Sequence, residues 1–272
     1  MNNSNDLNDL NNLKTLVKLN NLLLDEMPQC RDSCKDFLAD ESSFDKQFTL
    51  FRSLVNIRQP LKASDEFIRL QDNFLGQEIA RIGIIDINDF NKDKQIEVWQ
   101  GNIIKLKVDA IVNAGNNQLL GCFFPCHTCI DNAIHTYAGI QLRYYCDVLM
   151  RAQGHIEPIG SAKITPAFNL PCDYIFHTVG PIIAKNQEPS EQNCIDLKKC
   201  YTSCLNLAIK QNLKSIAFCC ISTGEYNFPN RKAAEIAIST IKEFNQKNNA
   251  SNLKIIFNVF KDEDFKIYEK LL

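Results

Sequence analysis

The amino-acid sequence predicts an α/β/α sandwich for the greater part of this chain, on two observations. From about residue 95 onward, short and nearly continuous apolar runs alternate with longer amphipathic stretches. Such runs are typical of strands that are buried on both faces of a sheet. Their alternation with helices indicates a sheet that is covered by helices on both sides.

Each predicted element follows from one of these patterns. The candidate strands cover residues 96–99, 110–112, 174–179, 216–221 and 253–260. Two helical stripes lie among the later strands, formed by Leu197, Tyr201, Leu205 and Ala208 and by Ala234, Ile238, Ile241 and Phe244. In folds of this class, ligands bind in the loops at the carboxyl ends of the strands. Those loops are therefore the places where a functional site is expected.

Residues 1–90 are predicted to form a helical extension, and residues 91–272 the α/β domain. Apolar side chains recur at helical spacing before the first strand, for example at Phe44, Phe48, Phe51 and Val55. Ser64 is a candidate N-cap for a further helix. No recognisable site is assembled in this region, and we expect it to pack on the main domain.

Charge and hydropathy exclude several functions. The formal net charge is -2, so a basic field for a nucleic-acid backbone is not expected. There is no apolar run of about 18 residues and no secretory signal at the N-terminus, which predicts a cytoplasmic protein without a membrane segment. In a reducing compartment, the 12 cysteines would be core thiols, metal ligands or reactive groups.

The densest chemical signal is a cluster of sulfur and imidazole ligands. Cys122, Cys126, His127 and Cys129 fall within eight residues, in a loop that contains Pro125. Thiolates together with imidazole select zinc among the common cytosolic metals. Four protein ligands would make a closed structural site, and three would leave a coordination position open for catalysis. The alternative for any single residue is an ordinary place in the core.

Three further loops carry polar or small residues directly after predicted strands. They are Gly101-Asn102-Ile103, the segment 112–116 and the segment 221–226. Small residues between a strand and a helix allow backbone N–H groups to approach phosphate oxygens, which makes the last loop a candidate phosphate site. For each of the three, an ordinary turn is the alternative.

In this order, the segments resemble the macrodomain family, which binds ADP-ribose. VNAGN is similar to the VNAAN-type motif of the family, ISTGEYNFP to its phosphate-binding loop, and IDNAIHTYAG to a helix start of MacroD-type hydrolases. Where those proteins carry a run of glycines, this chain has GCFFPCHTC, which resembles the zinc-containing subfamily. Residues 54–75 also resemble the helical extension of that subfamily.

The resemblance implies a three-layer α/β/α macrodomain with a mixed central sheet at 91–272. It further implies one Zn²⁺ per chain and the removal of mono-ADP-ribose from Asp or Glu esters of modified proteins, with ADP-ribose as ligand and product. A macrodomain-linked sirtuin is the implied partner. Two alternatives stay open: a non-catalytic reader of ADP-ribosylated proteins, and a hydrolase of a small derivative such as O-acetyl-ADP-ribose.

The resemblance also implies roles for individual residues. Zinc would be held by Cys122, His127 and Cys129, with Cys126 as a bystander, and Asn116 and Asp131 would be catalytic. The implied contacts to ADP-ribose are Asn102, Ile103, Asn116, Ile130, Asp131, Ser222, Thr223, Gly224, Glu225, Tyr226 and Phe260. Asn102 stands where most relatives carry Asp, so the adenine amino group would meet an uncharged acceptor.

Overall fold

The computed structural model describes residues 3–248 and 252–272, with side chains from Leu10 onward. The strands are β1 Ile85–Asp86, β2 Ile96–Gln100, β3 Leu106–Lys107, β4 Ala110–Ala114, β5 Ala162–Pro166, β6 Tyr174–Thr178, β7 Ser215–Phe218 and β8 Lys254–Val259. The α-helices are α1 Asn3–Glu26, α2 Lys35–Leu38, α3 Phe44–Ile57, α4 Asp65–Ile82, α5 Ile130–Ala138, α6 Ile140–Gln153, α7 Glu191–Lys210, α8 Asn230–Asn248 and α9 Asp262–Leu271.

Within these described residues, the main sheet has the strand order β2-β8-β7-β4-β6-β5. Its pairs are parallel except for β5, which runs antiparallel to β6. A short parallel ladder, β1 with β3, stands apart from it. The mixed central sheet expected from the sequence is therefore confirmed.

All five predicted strands form, and three strands were not predicted: the two-residue strands β1 and β3, and β5. The run 216–221 is shorter as a strand, since β7 ends at Phe218, and β8 ends at Val259 rather than at residue 260. The unpredicted β5 lies at the edge of the sheet and is mostly half-buried. An edge strand has no need of a continuous apolar run, so it left no such signal in the sequence.

Helices cover the sheet as the α/β/α prediction requires. α5 packs on β4, α6 on β5, α7 on β5 and β6, and α9 on β2 and β8, while α8 packs on both α7 and α9. Both predicted helical stripes, in α7 and in α8, are buried in the main core. The burial of these faces is the dominant favourable term in the folding of such a domain.

The N-terminal helices have a hydrophobic cluster of their own. Leu16, Leu19 and Leu23 of α1 meet Phe51 of α3 and Phe74 of α4, and all five are completely or almost completely buried. The predicted N-cap is confirmed, because Ser64 Oγ accepts the N–H of Phe67 at 3.1 Å. Further along α4, Ile79 belongs to the main core, so this helix joins the two clusters.

Among the described residues, no helix combines the length and the apolar character that a membrane crossing would need.

Candidate metal centre and neighbouring loops

The parallel strands bring distant loops to one edge of the sheet. β4, β7, β8 and β2 are successive parallel neighbours across the sheet, so the loops that follow them emerge on the same side. These are the loops that sequence patterning singled out, and they come together because parallel strands share a carboxyl edge.

The metal ligands implied by the resemblance are neighbours in space. One ligand atom each of Cys122, His127 and Cys129 lies within 4.8 Å of the other two, and all three residues are half-buried. The ring nitrogen Nδ1 of His127 is buried and has no hydrogen-bond partner among the described residues. Two sulfurs and an imidazole nitrogen without a partner are a donor set that fits zinc.

Cys126 lies outside this group. Its Sγ donates to the carbonyl oxygen of Thr49 at 3.4 Å and lies 3.2 Å from Ser53 Oγ, both on α3. Its backbone is in the left-handed region, with φ at 53°. Of the two arrangements left open by the sequence, the structure assembles three donors and not four.

Cys129 is both a candidate ligand and the N-cap of α5. Its sulfur accepts the backbone N–H of Asn132 at 3.4 Å. Burial, and to a lesser extent the neighbouring Cys122, raises the pKa of the Cys129 thiol to about 12. Because a metal ligand must be a thiolate, a cation beside this sulfur would supply the stabilisation that burial removes.

Asp131, two residues beyond Cys129 in the first turn of α5, is buried against β4 and the start of the loop that follows it. Its Oδ1 accepts a hydrogen bond from Asn113 Nδ2 at 2.8 Å and lies 3.5 Å from His135 Nε2. Burial raises the pKa of this carboxyl to about 6, although the Asn113 hydrogen bond opposes the shift. The neighbouring residue Ile130 begins α5 and is half-buried.

A buried chain of side chains continues behind Asp131. Asn113 Nδ2 lies 3.2 Å from His177 Nδ1, and His177 Nε2 lies 3.0 Å from Thr165 Oγ1. Since an amide nitrogen is a donor, Nδ1 accepts, and the ring proton resides on Nε2. Sequence reasoning placed Asn113 in a polar turn at 112–116, and this was wrong: the residue lies inside β4 and is completely buried.

The predicted catalytic residue Asn116 holds its own loop. Its Nδ2 donates to the carbonyl oxygen of Gly121 at 3.0 Å, and its Oδ1 accepts the N–H of Gln118 at 3.0 Å. One N–H and one lone pair of the amide are left for a ligand. The side chain thus shapes the entry to the segment that begins at Cys122.

The loop 222–226 lies beside the candidate metal ligands Cys122, His127 and Cys129. Glu225 Oε1 lies 3.5 Å from His127 Nε2. Burial raises the pKa of the half-buried Tyr226, and the charges of Asp131 and Cys129 raise it further. Candidate ligand contacts that are about a hundred positions apart in the sequence therefore line one site.

Within this loop, polar groups and open space are available to a ligand. Ser222 has φ at 67°, and its buried Oγ has no hydrogen-bond partner among the described residues. Thr223 Oγ1 donates to the carbonyl oxygen of Cys220 at 3.0 Å. Gly224 is exposed, and a Cβ there would meet nothing within 4 Å.

A second group of predicted contacts lies after β2 and β8. Phe260 is 73 % exposed, and its carbonyl oxygen accepts from Gln100 Nε2 at 3.3 Å. Asn102 Oδ1 accepts the N–H of Ile104 at 3.3 Å, and the side chain of Ile103 is buried in the core. Placing Phe260 inside the last strand was wrong: the strand ends one residue earlier, and the ring is free to cover a ligand.

The chain is similar to known proteins of one family. A family model described as Macro domain matches residues 112–237. A protein-ADP-ribose hydrolase from Treponema medium is 52 % identical over 233 residues, which are 84 % of this chain and 88 % of that protein. One from Staphylococcus aureus strain MRSA252 is 46 % identical over 250 residues, 91 % of this chain and 92 % of that protein.

Solved structures give the same result for the fold. A Trypanosoma brucei macrodomain in complex with ADP-ribose superimposes with a TM-score of 0.62 at 27 % identity, covering 81 % of this chain and 94 % of that one. The similarity to these proteins extends over most of the chain.

The buried chain behind Asp131 gives a testable prediction about His177. Burial lowers the pKa of its imidazole to about 3, so the ring should stay neutral with its proton on Nε2 between pH 5 and pH 8. In the unfolded chain the ring takes up a second proton near pH 6.5, whereas in the folded chain it does so only near pH 3, so the free energy of unfolding decreases as the pH falls from about 6.5 towards 3. NMR of ¹⁵N-labelled histidines measures the tautomer directly. A His177 resonance that titrates near pH 6.5 would contradict the assignment.

Proposed function

The chain belongs to the macrodomain family, and we propose that it is a zinc-dependent hydrolase that removes mono-ADP-ribose from proteins by cleaving its esters with Asp and Glu. One observation carries the proposal. The candidate metal ligands Cys122, His127 and Cys129 lie together, His127 lies 3.5 Å from Glu225 of the candidate phosphate loop, and Asp131 follows Cys129 in the first turn of α5.

Binding of ADP-ribose is supported by the two groups of loops at the carboxyl edge of the sheet. The small residues 222–224, ahead of the N-terminus of α8, suit the pyrophosphate, because N–H groups and the helix dipole favour anions there. The exposed ring of Phe260 beside Asn102 suits the adenine. In this proposed orientation, the distal ribose would point toward Cys122, His127 and Cys129 and toward Asp131.

Zinc would be held by Cys122, His127 and Cys129. When bound, it would supply a Lewis acid beside the distal ribose, of modest strength because two thiolates balance its charge. Three protein ligands are the number found in catalytic zinc sites, which keep one position open.

The chain's own residues would orient the reactants. Asn113 engages Oδ1 of Asp131 and leaves Oδ2 to hold the attacking water. Water would form a bond to the anomeric carbon and give up a proton to Oδ2 of Asp131, while the bond from that carbon to the ester oxygen breaks and the protein carboxylate leaves with the electron pair. Asn116 would fix the ribose hydroxyls, and orientation of this kind accounts for much of the rate enhancement in such reactions.

The direct test is release of ADP-ribose from a protein that is mono-ADP-ribosylated on glutamate. We expect release by the purified protein, loss of release after treatment with a chelator, and recovery on addition of zinc, because the donor group fits that ion. A substrate linked through arginine is the control for ester specificity. Full activity in protein shown by elemental analysis to be metal-free would exclude zinc dependence, and binding without release would indicate a reader.

A second prediction separates the two neighbouring thiols. Cys126→Ser should retain about one zinc per chain and its activity, since its sulfur faces α3. Cys129→Ser should lose both, because a hydroxyl is a poor replacement for a thiolate ligand. Zinc content and ester release are measured on the two variants side by side. Equal loss of zinc in both would mean a four-ligand structural site.

A third prediction concerns the adenine end. Phe260→Ala should weaken ADP-ribose binding by about 1–3 kcal/mol, the usual cost of losing one aromatic stacking partner. Calorimetry gives the affinity, and elemental analysis should show unchanged zinc. Because Phe260 is largely exposed, the melting temperature without ligand should also stay unchanged. Unaltered affinity would remove this residue from the binding site.

A further inference from the structure

We infer that helix α3 is a working part of the metal centre: it fixes the loop 122–129 so that Cys126 is kept out of the donor group and only three protein ligands remain. This inference rests on the proposed zinc function. It assigns a role to the N-terminal helices, for which sequence reasoning found no site.

The first support is the environment of Cys126. Besides the two contacts of its sulfur with Thr49 and Ser53, its backbone N–H donates to Asn56 Oδ1 at 2.9 Å. All three partners lie on α3. A residue other than glycine in the left-handed region costs free energy, and these contacts with α3 offset it. The direction of this side chain is therefore set by the helix and not by the loop alone.

The second support comes from two side chains, Arg52 and Asn132, which hydrogen-bond to residues 124–129 of the loop. Arg52 of α3 donates to the carbonyl oxygen of His127 at 3.3 Å and to Asn132 Oδ1 at 3.1 Å. Asn132, which is completely buried, donates through Nδ2 to the carbonyl oxygen of Phe124 at 3.1 Å and through its backbone to Cys129 Sγ. Through Asn132, the helix thus holds both sides of the segment that carries His127 and Cys129.

The third support is the anchoring of the start of the loop. Arg143, 4 % exposed, donates to the carbonyl oxygens of Val55 and Asn56 at the end of α3, and to that of Leu120 at 2.6 Å. Its guanidinium lies 4.3 Å above the ring of Phe123. Arg143 therefore binds both the end of α3 and the segment that leads into the loop, and it holds the two together.

The direction of the Cys126 side chain affects how many sulfur ligands a bound zinc ion would have. Cys126 is adjacent to His127, and a third thiolate binds zinc better than the water or ribose oxygen that an open position accepts. A loop released from α3 could turn Cys126 inward and close the site with four protein ligands. Such a centre would keep its metal and lose its open position.

The test uses the full chain loaded with Co²⁺, whose thiolate charge-transfer absorption reports the number of sulfur ligands. In Asn56→Ala, we expect this absorption to rise from that of two thiolates to that of three. Ester release should fall about 10- to 100-fold, the usual effect of losing a group that orients metal ligands. Adding Cys126→Ser to this variant should restore both the two-thiolate spectrum and the activity. Arg52→Ala offers the same test if Asn56→Ala does not fold.

Asn20→Ala is the matched control. Asn20 is an equally buried asparagine whose Nδ2 donates to Gln47 of α3, without contact to the loop. It should leave the spectrum and the activity unchanged. A two-thiolate spectrum in both Asn56→Ala and Arg52→Ala, or a lost activity that Cys126→Ser does not restore, would overturn the role of α3 while leaving the zinc function standing. A wild-type chain that binds no metal would overturn both.

Discussion

The site depends on the hydrogen bonds that the buried guanidinium of Arg143 donates to backbone carbonyl oxygens. The guanidinium donates to the carbonyl oxygens of Val55, Asn56 and Arg58, where α3 ends and its last carbonyls have no partner within the helix. Burial lowers the pKa of this group to about 10, so it remains charged at neutral pH. A cation at a helix C-terminus is also favoured by the dipole of the helix. Without it, several buried acceptors would lose their partners at once, which is among the most destabilising changes a core can suffer.

The same side chain connects the two hydrophobic clusters to the candidate metal centre. Through its bond to the carbonyl oxygen of Leu120, the position of the segment that leads to Cys122 depends on the packing of the N-terminal helices. Asp131, in turn, is held by Asn113 of β4, which is itself hydrogen-bonded to His177 of the neighbouring strand β6. The proposed metal ligands and the proposed catalytic carboxylate therefore rest on two different rigid supports. Such supports are what keep reacting groups within the narrow tolerances of catalysis.

Asn102 and Asn116 show how far residue-by-residue transfer from a family can go. Both lie in loops at the carboxyl edge of the sheet, as the resemblance implies, yet both use their amides to stabilise those loops. One amide side chain can both stabilise a loop and contact a ligand, because it has two N–H donors and two acceptor lone pairs. Their substitution would therefore alter the loop as well as the contact.

The sequence by itself determined the fold class, the order of the loops and a cluster of four candidate zinc ligands, from which the family resemblance implied a set of three. Apolar periodicity and the local spacing of donors are properties of short segments, and they persist whatever the rest of the chain does. The sequence also predicted Ser64 as an N-cap, because a capping hydrogen bond joins residues within one helical turn.

Only the tertiary structure decided the direction of Cys126, the chain from Asp131 to His177 and the attachment of α3 to the loop. The contact of Cys126 with Ser53 joins residues 73 positions apart, and that of Asn113 with His177 joins residues 64 apart. No pattern within a segment encodes such pairs, because they arise from how whole helices and strands pack. The edge strand β5 escaped prediction for a related reason, since what makes it a strand is its neighbour β6 and not its own composition.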